Sequence, residues 1–225
     1  MAPPNYANTR ARANWAVERT TGLPEVWALV AMHLGIVGAW QLMRVCKPAR
    51  AGAKEFLRTL PGLVVCGGVT PGARLSDMWR LDLATMQWEP MLAFATARYS
   101  HMCCTVRGAL VLLGGVITGG GGLTSGAEML SSSEEGVAFV DLPPLSCGGI
   151  CGAAAIEVAE SESAAGQVLL LGGIDVDGTY LSTVQMVDLA TGACARHHDL
   201  HHQRLYAAAS RLPDGRIGRH RWWHG

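Results

Sequence analysis

The sequence is short of charge, of lysine and of aromatic rings. Only 16% of its residues are charged, against about 25% in an average soluble domain. Lysine occurs only at Lys47 and Lys54, and 18 basic residues balance 18 acidic ones without a polybasic run. That balance excludes counterion-driven binding to nucleic acid or to anionic lipid, so no nucleic-acid partner is expected. A GxSxG elbow, a GxxxxGKS/T phosphate loop and an HExxH motif are all missing, so no enzyme class is indicated and no catalytic residue or cofactor is expected. The seven cysteines contain no CxxC pair and follow no signal peptide, which points to reduced thiols in a cytoplasmic or nuclear protein. Cys103 and Cys104 are neighbours in a strand-like run and should face opposite sides of a sheet. Cys147 and Cys151 have no second pair to complete a zinc site.

Glycine is abundant, 28 of 225 residues. With so little charge, this predicts buried strands joined by tight turns, and the length suits one domain with a small appendage at about 150 residues per domain. Residues 26–43 carry no formal charge, about the minimum for a membrane span. His33, Gln41, Gly35 and Gly38 interrupt the run, which reads as two short amphipathic helices with apolar residues at i, i+3, i+4 and i+7. No membrane partner is expected. Residues 1–22, with Arg10, Arg12 and Arg19 against Glu18, are expected to form a disordered leader.

Internal repetition is the strongest signal. Residues 63–68 read LVVCGG, 110–115 LVLLGG and 168–173 VLLLGG. Asp82-Leu83-Ala84-Thr85 returns 106 residues later as Asp188-Leu189-Ala190-Thr191, and at the same offset Ser76 meets Ser182 and Arg98 meets Arg204. Each unit runs apolar strand, Gly-Gly, variable loop, strand near the Asp, turn and strand after the Arg. Arg107-Gly108 and Pro213-Asp214-Gly215 are placed as hairpin turns. The double glycines are expected where a Cβ would collide with a neighbouring segment.

Gly67-Gly68, Leu75-Ser76-Asp77-Met78-Trp79, Leu81-Asp82, Trp88 and Arg98-Tyr99-Ser100-His101 together resemble a kelch repeat. The resemblance covers around 150 residues and implies four-stranded propeller blades. The second unit keeps Gly114-Gly115 and Glu128-Met129, with Phe139 at the tryptophan position and Gly149 near the arginine position. The third keeps Gly172-Gly173, Tyr180 and Arg204, with Cys194 where the first has Trp88 and looser packing expected there. The implied fold is all-β, a partial kelch propeller at 61–217 (61–108, 109–166, 167–217) of about three and a half blades, where propellers typically have about four to eight. The array is therefore expected to be truncated, with 218–225 a nonnative or disordered tail.

Leu23-Pro24-Glu25 and Val45-Cys46-Lys47, flanking the two short helices, resemble an F-box over 23–58. Two departures are Pro48, expected to interrupt the final helix, and Ala49 at the usual tryptophan. The resemblance implies that Leu23, Pro24, Leu34, Leu42, Val45 and Cys46 contact the linker adaptor of a cullin-RING (SCF-type) ubiquitin ligase. The blades would then hold an unknown protein substrate. In such propellers the arginine-bearing loops lie near the channel mouth, so Arg98, Tyr99, His101, Arg204 and Tyr206 are the candidate partner-binding residues, the arginines gripping a carboxylate; the alternative for each arginine is a blade-to-blade hydrogen bond or a surface cation. Alternatives are a kelch scaffold without a ubiquitin role, its helices capping a blade edge, and a nonfunctional fragment.

His197, His198, His201 and His202 with Asp199 are expected to fall in an irregular loop and to hold no functional metal. Gly119–Gly122 reads as a flexible loop, and Glu157, Glu160 and Glu162 as a solvated insertion.

Overall fold

The computed structural model describes residues 17, 19–117, 122–133, 136–158, 161, 163–212 and 217–220. Most of the expected leader, three of the glycines at 119–122, Glu160, Glu162, the Pro213-Asp214-Gly215 turn and the last five residues of the tail lie outside the described residues. Two compact units emerge, Met1–Val65 with Trp79–Met91, and Cys66–Met78 with Leu92–Gly225. Among the described residues the protein is mostly β, with several small antiparallel sheets of which none closes on itself.

The first unit holds α1 (Pro24–Leu42) and α2 (Lys47–Thr59). Pro24 sits in the first turn of α1, where a missing N–H costs nothing, and Glu25 faces the positive helix end. Gly35 has φ +71° and ψ −172°, which breaks α1 into two helical halves, the division expected from the interrupted apolar run. Pro48 does not interrupt the final helix. It lies in the first turn of α2, where its fixed φ suits helix entry. Ala49, at the position where a tryptophan was expected, is completely buried. Small residues bring the helices together, since a Cβ on Gly52 would lie 2.1 Å from the Pro24 carbonyl oxygen. The core joins Ala31, Ala39, Leu42, Ala53 and Leu57 to Ala84.

In the second unit, β5 (Met102–Val106), β6 (Ala109–Leu113), β8 (Ala127–Ser133) and β9 (Gly136–Leu142) form a four-stranded meander. A second meander follows in β11 (Ala154–Val158), β12 (Gln167–Leu171), β14 (Val184–Asp188) and β15 (Cys194–Arg196). The hairpin β16 (Ala208–Arg211) and β17 (Ile217–His220) comes after it. Two-stranded pairs join β4 (Arg98–Tyr99) to β7 (Val116–Ile117) and β10 (Ile150–Cys151) to β13 (Ile174–Asp175). Strands β1 (Leu63–Thr70), β2 (Ala73–Asp82) and β3 (Gln87–Met91) form a three-stranded sheet in that order, with residues in both units.

The sheets begin one strand earlier than the sequence repeats. Strands β5 and β11 close the first and second repeats in sequence, yet they open the two four-stranded sheets. Local chemistry repeats with the sheets. Arg107 (φ +50°) and Gly108 (φ +81°) make the expected hairpin turn. Asp82 Oδ1 accepts from the Ala84 N–H at 2.7 Å, and Asp188 Oδ1 from the Ala190 N–H at 2.9 Å, so the recurring Asp-Leu-Ala-Thr builds the same turn twice. The carbonyls of Ser76, Ser125 and Ser182 accept from the amides of Phe94, Leu145 and Leu200, and all three of those side chains are buried.

The double glycines of the second and third repeats do what was expected of them, whereas in the first only Gly67 is closely approached and a Cβ on Gly68 would meet nothing within 4 Å. Gly114, Gly115, Gly172 and Gly173 all have positive φ. A Cβ on Gly114 would lie 2.2 Å from the Ile150 carbonyl oxygen, and one on Gly172 would lie 2.4 Å from that of Arg204. The second unit's core fills the space between the meanders with Val111, Leu113, Ile150, Val168, Leu170 and Val187. Each fully buried aliphatic side chain of this kind contributes about 1.5–3 kcal/mol.

Candidate functional site

Two surfaces carry the residues singled out from the sequence, one in each unit. On the first unit, Leu34 is 55% exposed, Val37 65% and Val45 62%, and Leu23 and Cys46 are also exposed. Pro24 is half-buried and Leu42 is buried in the helical core. Leu42 therefore supports the helices from inside and is not a surface contact. The exposed apolar residues gather along α1 and the turn after it, a concentration that soluble surfaces seldom leave uncovered. Pro24–Leu42 is also long and apolar enough to cross a membrane by length and composition. Within the same unit, the Trp40 indole N–H donates to the Leu83 carbonyl at 2.9 Å, and Leu83 and Ala84 share the helical core.

On the second unit, the segments before β5, before β11 and before β16 meet through a run of backbone hydrogen bonds. The Gly152 N–H donates to the Ser100 carbonyl at 2.8 Å, and the Tyr206 N–H to the Gly152 carbonyl at 2.7 Å. Ser100, Gly152 and Tyr206 share a positive φ of 53°, 64° and 54°. The Ser100 and Tyr206 hydroxyl oxygens are 3.1 Å apart. Arg98, Ile150 and Arg204 each lie two residues before these points, so Ile150, and not Gly149, holds the arginine position of the second repeat.

Arg98 overturns the expectation of a free carboxylate grip. Its side chain is 3% exposed and ion-paired to Glu128, and it donates to the Gly114 carbonyl at 3.1 Å and the Gly126 carbonyl at 3.2 Å. Burial lowers its pKa against the attraction of Glu128. The second oxygen of Glu128 accepts from the Ala95 N–H at 2.9 Å. With every acceptor supplied from inside, Arg98 fastens neighbouring strands and is closed to a partner. Arg204 is half-buried, and its side chain has no hydrogen-bond partner among the described residues. Tyr99 is half-buried beneath the Arg74 guanidinium, 5.4 Å from the ring centroid. Tyr206 is 65% exposed.

His101 is drawn inward. Its Nε2 lies 3.4 Å from the Cys66 sulfur, its ring packs on Phe94, and its Nδ1 is buried without a partner among the described residues. Hydrogen bonding from Cys103, then from His101, lowers the Cys66 thiol to about 5, with burial opposing. Cys104 points into the core and burial pushes its thiol up to about 12, as expected for neighbours facing opposite sides of a strand.

A cleft of about 400 Å³ opens where β5, β11 and β16 run side by side, lined by Cys103, Cys104, Glu157 and Arg211. Glu157 is not part of a solvated insertion. It belongs to β11, and its carboxylate accepts from the Arg107 N–H at 2.8 Å. Arg211 donates to the Glu157 carbonyl at 2.8 Å. Sequence reasoning named Glu128 and Glu157 but missed their contacts with Arg98 and Arg107, and it missed the Cys66–His101 contact, because each joins residues far apart in the chain.

The histidine run lies in an irregular segment, as expected. Leu200 is buried at its centre, and Asp199 is held by Arg196, which also lowers its pKa. Among the described residues, no group of three or more His, Cys, Asp or Glu side chains is placed to hold a metal ion. No protein-family model matches the chain, and no curated protein matches it.

Proposed function

We propose that this protein is a protein-interaction module made of kelch-type propeller blades with an F-box-like helical segment, and that it acts as a substrate receptor of a cullin-RING ubiquitin ligase. The observation that carries the proposal is the exposure of the apolar side chains of Leu34, Val37 and Val45 on α1 and its following turn. Each such side chain forgoes about 1.5–3 kcal/mol of burial while uncovered, and a helical adaptor presenting an apolar groove would recover it. The blade reading is supported by two consecutive four-stranded meanders with recurring Gly-Gly approaches, and by first strands β5, β11 and β16 that lie side by side. On this reading the strand cleft and the exposed Tyr206 face the protein substrate, and the chain performs no chemistry itself.

The test is calorimetric titration of the full chain with the purified linker adaptor. Saturable binding is expected, and Leu34→Asp and Val45→Asp, both at exposed positions, should abolish it without loss of secondary structure. A folded chain that takes up no adaptor overturns the ligase assignment.

A second reading is a kelch scaffold without a ubiquitin role, favoured by the bond from Trp40 to Leu83 and by the core that the helices share with Leu83 and Ala84. In that case the helical segment serves as a cap. The same titration separates the two, since a cap gives no adaptor heat while Trp40→Phe loosens the first unit.

A further inference from the structure

The sulfurs of Cys147 and Cys194 lie 3.0 Å apart. Cys147 lies in the segment that leaves β9, and Cys194 opens β15, the outer strand of the second meander. The two segments are already laced together. The Ser146 N–H donates to the Gly192 carbonyl at 2.8 Å, and the Cys194 N–H to the Ser146 hydroxyl oxygen at 2.9 Å. At Gly192, a Cβ would sit 2.2 Å from the Pro144 carbonyl oxygen, so the turn before Cys194 is pressed against the segment carrying Cys147. These contacts hold the sulfurs together without help from a covalent bond.

We propose that Cys147 and Cys194 form a redox-modification site, which exchanges with a low-molecular-weight disulfide such as glutathione disulfide to give an intramolecular disulfide. Cys147 is exposed and Cys194 half-buried, so a small disulfide reaches the pair from solvent. Hydrogen bonding from Cys147, followed by bonds involving Ser146, lowers the Cys194 thiol to about 6, with burial opposing, and the Cys147 thiol is raised by the same pairing. Cys194 is therefore the attacking thiolate and Cys147 the resolving thiol.

In the first step the Cys194 sulfur bonds to one glutathione sulfur, the glutathione S–S bond breaks, and a glutathione thiolate leaves. In the second, the Cys147 sulfur bonds to the Cys194 sulfur, the mixed disulfide breaks, and a second glutathione thiolate leaves. The Cys147 proton passes to the departing thiolate. Two protein thiols are oxidised, one glutathione disulfide is reduced to two glutathione molecules, and excess reduced glutathione reverses the reaction. The product ties the outer edge of the second meander to the segment that follows the first.

The test incubates the native full chain with glutathione disulfide, blocks remaining thiols by alkylation and maps the peptides without reduction. The expected product is a Cys147–Cys194 linked peptide, with buried Cys151 still reduced. Cys147→Ser should stop at glutathione attached to Cys194, whereas Cys194→Ser should carry neither a crosslink nor glutathione at Cys147. Full alkylation of both thiols in the native chain, or a Cys147–Cys151 crosslink, overturns the proposal, and neither result depends on a variant that folds.

Discussion

Arg98 and Ile150 hold the same place before successive four-stranded sheets, yet one junction contains a buried ion pair and the other contains none. In the first, Arg98 reaches Glu128 on β8. In the second, the residue matching Arg98 is Ile150, in the hydrophobic core, and the residue matching Glu128 is Gln185 on β14. Charge has gone from both members together. The backbone keeps one feature in both: a positive-φ residue follows two positions later in each, at Ser100 and Gly152. The comparison teaches that the backbone approach defines the junction, and that the side-chain pair is replaceable provided neither charge is left alone.

Breaking half of the first junction should give the largest effect. Glu128→Ala leaves the Arg98 guanidinium buried without its counterion, a loss of about 3–5 kcal/mol. The double change Arg98→Ile with Glu128→Gln copies the second junction and should recover most of that loss. A deficit of about 1–2 kcal/mol should remain because the Gly114 carbonyl loses its Arg98 donor. Urea denaturation of the two variants checks this. If the double variant is no more stable than the single one, the interchangeability of the junctions is refuted.

The glycines sharpen the same comparison at a middle scale. Gly108 and Gly114 both have positive φ, but a Cβ on Gly108 meets nothing within 4 Å while one on Gly114 meets the Ile150 carbonyl oxygen at 2.2 Å. Gly108→Ala should therefore cost only backbone strain, about 1 kcal/mol, and Gly114→Ala should cost about 3 kcal/mol once displaced backbone is added. Denaturation midpoints of the two variants give the difference directly, and equal losses would remove close approach as the reason for the Gly-Gly pattern.

What could be read from the sequence was whatever repeats locally. The Gly-Gly strands, the Arg107-Gly108 turn, the Asp-Leu-Ala-Thr turns and the break in the apolar helix all depend on neighbours within a few residues. Register even supports the reading of Phe139 as the counterpart of Cys194, since Phe139 pairs with Leu130 on β8 as Cys194 pairs with Val187 on β14. Strand membership of the sheets was not legible, because β5 and β11 end one sequence repeat and begin the next sheet. For the same reason the sequence did not decide between a partner grip and an internal bond for Arg98. An arginine in a loop looks like a surface cation until its acid appears 30 residues later on another strand. Leu200 was hidden among histidines, and only its alignment with Phe94 and Leu145 explains why one apolar residue there is buried.

The smallest effect tests whether the side chains at the three positive-φ positions add anything to their shared backbone. Gly152 has no side chain, while Ser100 and Tyr206 place hydroxyl oxygens 3.1 Å apart. Tyr206 is largely exposed, so water competes for this bond and its net value should be about 0.5 kcal/mol, at the low end for a hydrogen bond. Tyr206→Phe should lower stability by that amount, and a double-mutant cycle with Ser100→Ala should return a coupling of the same size. The amide bonds from Gly152 to Ser100 and from Tyr206 to Gly152 are untouched by either change. A coupling of several kcal/mol would mean that the hydroxyls, and not the backbone, hold these segments together, and the two junctions could then no longer be treated as one design.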